Sequence, residues 1–282
     1  MTGGAFDDYL EQWRAASPQR AMAWLFLRRH ERMCYGGLAV LEHEWLKAVR
    51  DVREPQVAAA KLAWWREEMQ RAAQGRARHP LTQAMFADHA IGRVPLDCWT
   101  APVDAAVATL GAAPSPDFES LCESATPLAH ALARLETQVW FGNGVAVDRA
   151  SRIVVLEHLV ADARALEAAA GQGRSPLPMN LLARHGLTID ALGRDSPARR
   201  AALRDHIEDL AGAFGDAARM PGMLTLLRHA GMQYDRHSLE RARHAEDPLS
   251  ALRSPAFGLR GLLKTWRAAR TWRGMARPGN SS

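Results

Sequence analysis

Apolar side chains recur along this chain at the spacing of an α-helix, and this pattern restricts the fold more than any other feature. Between residues 58 and 72 they are separated by four, three and four positions: Ala58, Leu62, Trp65 and Met69. This spacing places them on one helix face. Alternating strands joined by hairpin turns are absent. Because Ala, Leu, Arg and Glu also dominate the composition, the sequence predicts an all-α fold.

Further helices are predicted where apolar spacing of this kind is bounded by turn residues. Their approximate ranges are 5–16, 20–50, 80–92, 99–110, 117–141, 149–170, 196–219, 222–233 and 257–274. Ser196 and Pro197, for instance, are typical of a helix start. At 282 residues the chain is long enough for one large domain. We expect an N-terminal helical extension over 1–19, a single helical domain over 20–275 and a disordered tail over 276–282.

The sequence argues against a membrane-spanning protein and against a secreted one. No run of about 18 uncharged apolar residues occurs, so no transmembrane span is expected. The N-terminus lacks the basic segment and apolar core of a signal peptide. Cys34, Cys98 and Cys122 are too widely spaced for a disulfide framework or a zinc motif. We therefore expect a cytoplasmic protein.

Positive charge is concentrated near the C-terminus. Seven of the 36 Lys and Arg residues follow residue 247, where no Asp or Glu occurs, so the first 247 residues carry 29 basic and 31 acidic side chains. A basic, Trp-bearing amphipathic helix binds anionic membranes, which predicts attachment to the inner membrane surface. The residues concerned are Arg260, Lys264, Trp266, Arg267 and Arg270. The alternative is a last helix packed on the body with its basic face in water. Nucleic acid is not an expected partner, because the remainder is slightly acidic.

Three segments carry motifs in a fixed order. Residues 52–85 contain a Trp-Arg-x-Glu core, then a Gly, then His-Pro-Leu. Residues 114–142 begin with PSPDFESL and lead into a run of small residues. Residues 173–187, GRSPLPMNLLARHGL, have the form Gly-Arg-x-x-Leu-Pro before a short helix that ends in Gly. Together these segments resemble the squalene/phytoene synthase family over roughly residues 20–190.

The resemblance implies a single-domain isoprenoid-synthase fold, in which helices surround a central cavity. Active members of that family join two prenyl diphosphates head to head and release pyrophosphate, using magnesium. Mg²⁺ prefers carboxylate oxygens shared with phosphates. Two Asp-rich motifs on facing helices supply those carboxylates in the active members.

Both magnesium motifs are degraded in this sequence. The resemblance places the first at residues 45–49, WLKAV, where no carboxylate occurs and Lys47 would repel Mg²⁺. It places the second at Ala165 and Ala169, which have no ligand atoms. No metal site is therefore predicted, and no cofactor is expected.

Two arginines match positions of the family pattern, Arg164 before the second motif and Arg174 in the Gly-Arg pair. They are candidates for binding a diphosphate or another anion. The alternative is that they form structural salt bridges with Asp162 or Glu167.

Trp64 and Trp65 are candidates for the wall of a prenyl-binding cavity, because aromatic rings bury a large apolar area and their faces stabilise a carbocation. The alternative is that they belong to the ordinary helix core, because an apolar stripe at helical spacing is more often core.

Two functions follow from the resemblance. The first is a non-catalytic protein that binds an isoprenoid or other lipid-like ligand, or acts on a protein partner. In support of this function, the VREP segment at 52–55, with Glu44 upstream, is similar to the corresponding segment of the branch that includes the mitochondrial complex I assembly factor. The second is an active prenyl diphosphate transferase with magnesium on displaced carboxylates. Those ligands would be Glu42, Glu44, Asp162 and Glu167, and this hypothesis requires them to converge on one cavity.

Overall fold

The computed structural model describes residues 3–28, 31–254, 263, 265–267 and 269–270, and it contains no β-strand among them. The helices of the first half are α1 (Gly3–Ala16), α2 (Pro18–Trp24), α3 (Gly37–Arg50), α4 (Pro55–Ala73), α5 (Pro80–Phe86), α6 (His89–Gly92) and α7 (Leu96–Ala108). Those of the second half are α8 (Phe118–Phe141), α9 (Asp148–Arg164), α10 (Leu166–Ala170), α11 (Met179–Arg184), α12 (Pro197–Arg219), α13 (Leu226–Arg243) and α14 (Pro248–Arg253). The predicted all-α, single-domain helical bundle is confirmed.

Helix α9 lies at the centre of the bundle. It packs most extensively against α8 and also contacts α12, α13 and α14. Every residue from Ile153 to Val160 is buried, including Glu157 and His158. A helix that is buried on all sides must satisfy its charged residues inside the protein. The charged residues of α9 therefore define where the polar interior of the bundle lies.

Three predicted helices are interrupted. The range 80–92 divides into α5, which ends at Phe86, and α6, which begins at His89. The range 20–50 contains α2, which ends at Trp24, and a π-helical turn, Arg32–Gly36, that precedes α3. A Cβ on Gly36 would lie 1.5 Å from the Trp24 ring, so this tertiary contact requires glycine. The range 149–170 breaks at Ala165, whose φ of −89° and ψ of 13° separate α9 from α10.

The first motif segment is held together by Glu68, the last residue of its Trp-Arg-x-Glu core. This buried carboxylate accepts hydrogen bonds from the backbone N–H groups of Arg78 (2.7 Å) and His79 (2.9 Å). It also accepts from the Thr82 hydroxyl (2.6 Å) and from Arg71 (3.1 Å). Burial alone would raise the pKa of Glu68, but these hydrogen bonds lower it below its ordinary value. The motif thus fixes the start of α5 against α4.

The Gly-Arg loop links the end of α3 to the second motif segment. Gly173 has a φ of +72° and allows the chain to turn after α10. Arg174 donates a 2.7 Å hydrogen bond to the backbone carbonyl of Arg50 at the end of α3. The N–H of Met179 donates to the carbonyl of Ser115 at 2.9 Å, and the next residue pairs in the same way. The loop therefore joins α3 to the segment before α8.

The structure describes only part of the predicted C-terminal helix, residues 263, 265–267 and 269–270. Thr265 and Ala269 are buried, whereas Leu263 is 53% and Trp266 is 43% exposed. Arg260, Lys264 and the predicted tail over 276–282 lie outside the described residues. The boundaries of extension, domain and tail stay predictions. None of the described helices combines the length and apolar character needed to cross a membrane.

Candidate functional site

A cavity of about 470 Å³ opens between the junction of α1 and α2 and the helices α3, α9 and α13. Its inner wall carries Arg20, Glu42 and Glu157, and its outer part carries Lys47 and Arg253. Most of the lining side chains are charged or polar rather than apolar. The cavity therefore offers charged groups beside apolar surface that includes Trp13 and Leu46.

Three buried glutamates from three helices converge on one arginine behind this wall. Arg228 of α13 contacts Glu42 of α3 at 2.6 Å, Glu136 of α8 at 2.6 Å and Glu157 of α9 at 2.7 Å. All four residues are buried. The three carboxylates raise the pKa of Arg228 well above its ordinary value, although burial would lower it. We call Arg228 and its three glutamates the Arg228 cluster.

A second arginine completes the pairing on the cavity side. Arg20 of α2 lies 2.6 Å from Glu157 and 3.3 Å from Glu42. Burial would raise the pKa of Glu42, but Arg20 and Arg228 lower it well below its ordinary value. The His158 ring nitrogen is 3.5 Å from Glu42, and burial lowers the pKa of this histidine. Three buried glutamates therefore face two buried arginines.

A separate ion pair borders the cavity between α9 and α13. Arg164 contacts Asp235 at 2.7 Å and lies over the Tyr234 ring, 5.3 Å from its centroid. Burial raises the pKa of Asp235 to about 6, although Arg164 opposes this shift. Arg253 donates to the backbone carbonyl of Arg164 at 2.7 Å. Both the side chain and the backbone carbonyl of Arg164 are therefore already paired within the protein.

The four carboxylates proposed as displaced metal ligands are not brought together. Among them only Glu42 lines the cavity. Glu44 lies 3.9 Å from Lys47, and Asp162 pairs with Arg50 at 2.8 Å. Glu167 pairs with two arginines, Arg199 at 2.9 Å and Arg253 at 2.8 Å. The convergence that the transferase hypothesis requires is absent, because each carboxylate has a cationic partner of its own.

The residues present do not fit a magnesium site. Ala165 and Lys47, at two expected motif positions, line the cavity and offer no carboxylate, while Trp45 and Ala48 face the core. In the described ranges, no group of three or more His, Cys, Asp or Glu side chains is arranged to hold a metal ion. The donor chemistry of the cavity wall is thus that of ion pairs.

The predicted ligand-binding residues occupy different places. Arg164 lines the cavity, but its partner is Asp235 rather than Asp162 or Glu167. Arg174 is exposed and anchors the end of α3. Trp65 is buried against His79, with ring centroids 4.9 Å apart. Trp64 is partly exposed beside it, and neither tryptophan contributes to the cavity lining.

The Arg228 cluster was not identified from the sequence, although a signal for it exists. Glu42, Glu136 and Glu157 each follow a leucine inside an apolar helical run. A charged residue in such a run is predicted to be buried and to need a partner. Arg228 has the same context in LLRHAGM, residues 226–232.

Gly231 allows α13 to approach the Arg228 cluster. A Cβ at this position would lie 2.3 Å from the Oε1 atom of Glu157, whereas a Cβ on Gly212 in α12 would meet nothing within 4 Å. We expect Gly231→Ala to lower the free energy of unfolding by about 1–3 kcal/mol through overpacking. Gly212→Ala should raise it by about 0.5–1 kcal/mol, as is usual for an exposed helix. Urea denaturation of both variants checks this; a stabilised Gly231→Ala variant would contradict it.

This chain is similar to known proteins in both sequence and fold. A sequence model described as squalene/phytoene synthase matches residues 13–231. A dehydrosqualene synthase solved in complex with ligand aligns with a TM-score of 0.69 and 11% identity, covering 97% of this chain and 98% of that one. Squalene synthase HpnC from Alicyclobacillus acidocaldarius aligns with a TM-score of 0.59 and 16% identity, covering 97% and 94%. No curated protein matches the sequence. At such low identity the solved structures show a shared fold.

Proposed function

The chain belongs to the squalene/phytoene synthase family, and from this premise we propose that it is a non-catalytic member. It keeps the helical bundle without the magnesium-dependent chemistry. The observation that carries this proposal is the pairing of Glu42 with two arginines. Glu42 lies close to the expected first motif and faces the cavity, but Arg228 at 2.6 Å and Arg20 at 3.3 Å both contact its Oε2 atom. The His158 ring nitrogen lies 3.5 Å from its Oε1 atom.

Electrostatics supports the same proposal. Mg²⁺ binds carboxylate oxygens at about 2.0–2.1 Å, which requires oxygens that are free to coordinate it. Here the ion would have to displace guanidinium groups whose charge repels it. Lys47 adds a further positive charge to the wall. We therefore propose that the protein functions without a metal cofactor.

The cavity supports a small anionic or lipid-like ligand. Its volume of about 470 Å³ falls within the usual range for ligand sites, roughly 300–1,000 Å³. Lys47, Arg50 and Arg253 give it positively charged groups, each of which also lies beside a carboxylate of the protein. Behind the wall, the space beside Arg228 and Trp140 measures only about 10 Å³, enough for about one water. We therefore propose that the head group of an isoprenoid or related lipid enters the cavity while most of its chain stays outside. Mass spectrometry of lipids that copurify with the protein tests this; a protein carrying no lipid would contradict it.

Catalytic activity is tested with prenyl diphosphates and the intact chain. We expect no Mg²⁺-dependent release of pyrophosphate from farnesyl or geranylgeranyl diphosphate above a protein-free control. An active squalene synthase assayed in parallel verifies the substrates. Release that rises with protein concentration and disappears in Glu42→Gln would overturn the proposal. That result would establish the alternative, an active prenyl diphosphate transferase using Mg²⁺.

We propose that the C-terminal helical residues contact a membrane surface or a protein partner. Leu263 and Trp266 are exposed together, and the Arg270 guanidinium lies 5.4 Å from the Trp266 ring centroid. The segment after residue 247 contains seven basic residues and no acidic one. This combination favours an anionic membrane surface, which would place a cytoplasmic protein against the inner membrane. An assembly-factor-like protein could use such attachment to meet a membrane-bound partner.

Vesicle binding tests the proposed membrane surface. Each basic residue near anionic headgroups contributes about 1 kcal/mol, so Arg267→Ala with Arg270→Ala should lower the partition coefficient roughly 30-fold. The control exchanges two exposed arginines elsewhere, Arg66→Ala with Arg134→Ala, and should bind as the original protein does. The measurement is co-sedimentation with vesicles rich in phosphatidylglycerol, compared with neutral vesicles. Equal vesicle binding by both double variants would contradict the proposal that the C-terminal residues form a membrane-binding surface.

A further inference from the structure

The face of α4 that points away from the bundle carries a second stripe of regularly spaced residues. Its five members are separated by four, three, four and three positions: Arg53, Val57, Ala60, Trp64 and Glu67. All five are exposed, and the exposed fraction of the two large apolar side chains is 56% at Val57 and 41% at Trp64. This spacing is that of a coiled-coil seam, along which one helix packs against another. We call these residues the α4 seam; the described helices leave it uncovered.

The α4 seam is nearly symmetric about Ala60, except that its two ends carry opposite charges. Arg53 lies seven positions before Ala60, and Glu67 lies seven positions after it. A second copy of the chain packed antiparallel across Ala60 therefore sets Arg53 against the partner's Glu67 at both ends of the contact. It also sets Val57 against the partner's Trp64. A parallel copy would instead oppose two arginines and two glutamates, which is unfavourable. The charges thus select the antiparallel arrangement.

The side chains of the α4 seam suit a close contact between two helices. Ala60 adds only a methyl group at the centre, so the two backbones can approach each other. Trp64 is already held in place within one chain, because its ring centroid lies 5.0 Å from that of Trp65 and 5.8 Å from that of His79. An aromatic side chain that is already ordered loses little conformational entropy on binding. We therefore expect Trp64 to contribute most of the binding energy.

We propose that the α4 seam is a self-association surface, through which two copies of this chain form an antiparallel dimer with two-fold symmetry. Helix α4 has 19 residues, which gives it a length of about 28 Å. A contact between two helices of this length buries less than the roughly 1,600 Å² of a typical stable interface. We therefore expect a weak dimer, with a Kd on the order of 10–100 μM. The described lining of the cavity includes no residue of α4, so dimer formation is independent of the proposed ligand site.

Sedimentation velocity of the intact chain over about 5–300 μM tests the proposal. We expect the original protein to shift from monomer to dimer across this range. Trp64→Glu should raise the Kd at least about 30-fold, because it places a charge where the aromatic ring would be buried. The matched control is Val107→Glu on α7, where the side chain is 39% exposed but lies off the α4 seam; it should dimerise as the original protein does. An original chain that stays monomeric at every concentration overturns the proposal, and so does a dimer that Trp64→Glu does not weaken.

Reversal of the end charges tests the antiparallel arrangement with substitutions of exposed side chains, which the fold tolerates. Arg53→Glu and Glu67→Arg should each raise the Kd at least about tenfold, because each opposes like charges at both ends of the contact. The double variant restores opposite charges at both ends, so its Kd should return to within about threefold of the original value. Single variants that dimerise like the original protein would overturn the arrangement, as would a double variant that does not recover.

Discussion

Arg228→Met should lower the free energy of unfolding by about 3–5 kcal/mol, the usual cost of removing one partner from a buried ion pair. The loss arises because Glu42, Glu136 and Glu157 would remain buried with Arg20 as their closest remaining cation. Methionine preserves much of the volume of arginine, so cavity formation contributes little. Urea denaturation measures the change.

A surface arginine provides the control for this experiment. Arg243 also contacts two carboxylates, Glu208 at 2.6 Å and Glu240 at 3.0 Å, but both partners are more than half exposed. Arg243→Met should therefore cost less than about 1 kcal/mol. Similar losses for the two variants would show that Arg228 is not central to stability.

The same substitution should change the pH dependence of stability. The folded-state pKa of Glu42 lies well below its ordinary value of 4.5, so this group contributes stability above about pH 4.5 and loses it as the pH falls further. Removing Arg228 removes one cause of the lowered pKa. The acid-unfolding midpoint of Arg228→Met should accordingly move to higher pH.

Glu68→Ala should lower the free energy of unfolding by about 3 kcal/mol. The substitution leaves the N–H groups of Arg78 and His79 and the Thr82 hydroxyl without their buried acceptor, and each unsatisfied group costs about 1–3 kcal/mol. Three such groups would together cost about 3–9 kcal/mol, and some relaxation toward solvent keeps the sum near about 3 kcal/mol.

The adjacent glutamate is a matched control. Glu67 is 66% exposed at its side chain and pairs with Arg71 at 3.2 Å on the helix surface. Glu67→Ala should therefore cost no more than about 0.5 kcal/mol. Because the pKa of Glu68 is lowered in the fold, its contribution is present above about pH 4.5 and declines as the pH falls. Equal losses at positions 67 and 68 would contradict the assigned role of Glu68.

The fold was predictable because two independent signals agreed. Apolar spacing gave the helices, and the three motif segments gave their arrangement. The interruption between Trp24 and α3 could not be predicted, because it depends on a ring packing against Gly36 from another element. Local sequence does not encode such a contact, so tertiary packing overrides the continuous helical pattern.

The site was only partly predictable. Ala165 and Lys47 do line the cavity, as the resemblance implied, and the loss of carboxylates there was visible in the sequence. The pairing of Glu42 with Arg228 was not, because these residues are 186 positions apart. Leucine neighbours indicate that each charge is buried. They do not indicate which distant charge it meets.

That sequence separation also sets an order of events during synthesis. Arg20 and Glu42 leave the ribosome early and are close enough along the chain to meet at once. At about 5–20 residues per second, Arg228 follows Glu42 by roughly 10–40 s. Throughout this interval the N-terminal third holds an acidic group whose final partner does not yet exist. The Arg228 cluster can therefore form only after residue 228 has been made, when most of the domain is already synthesised.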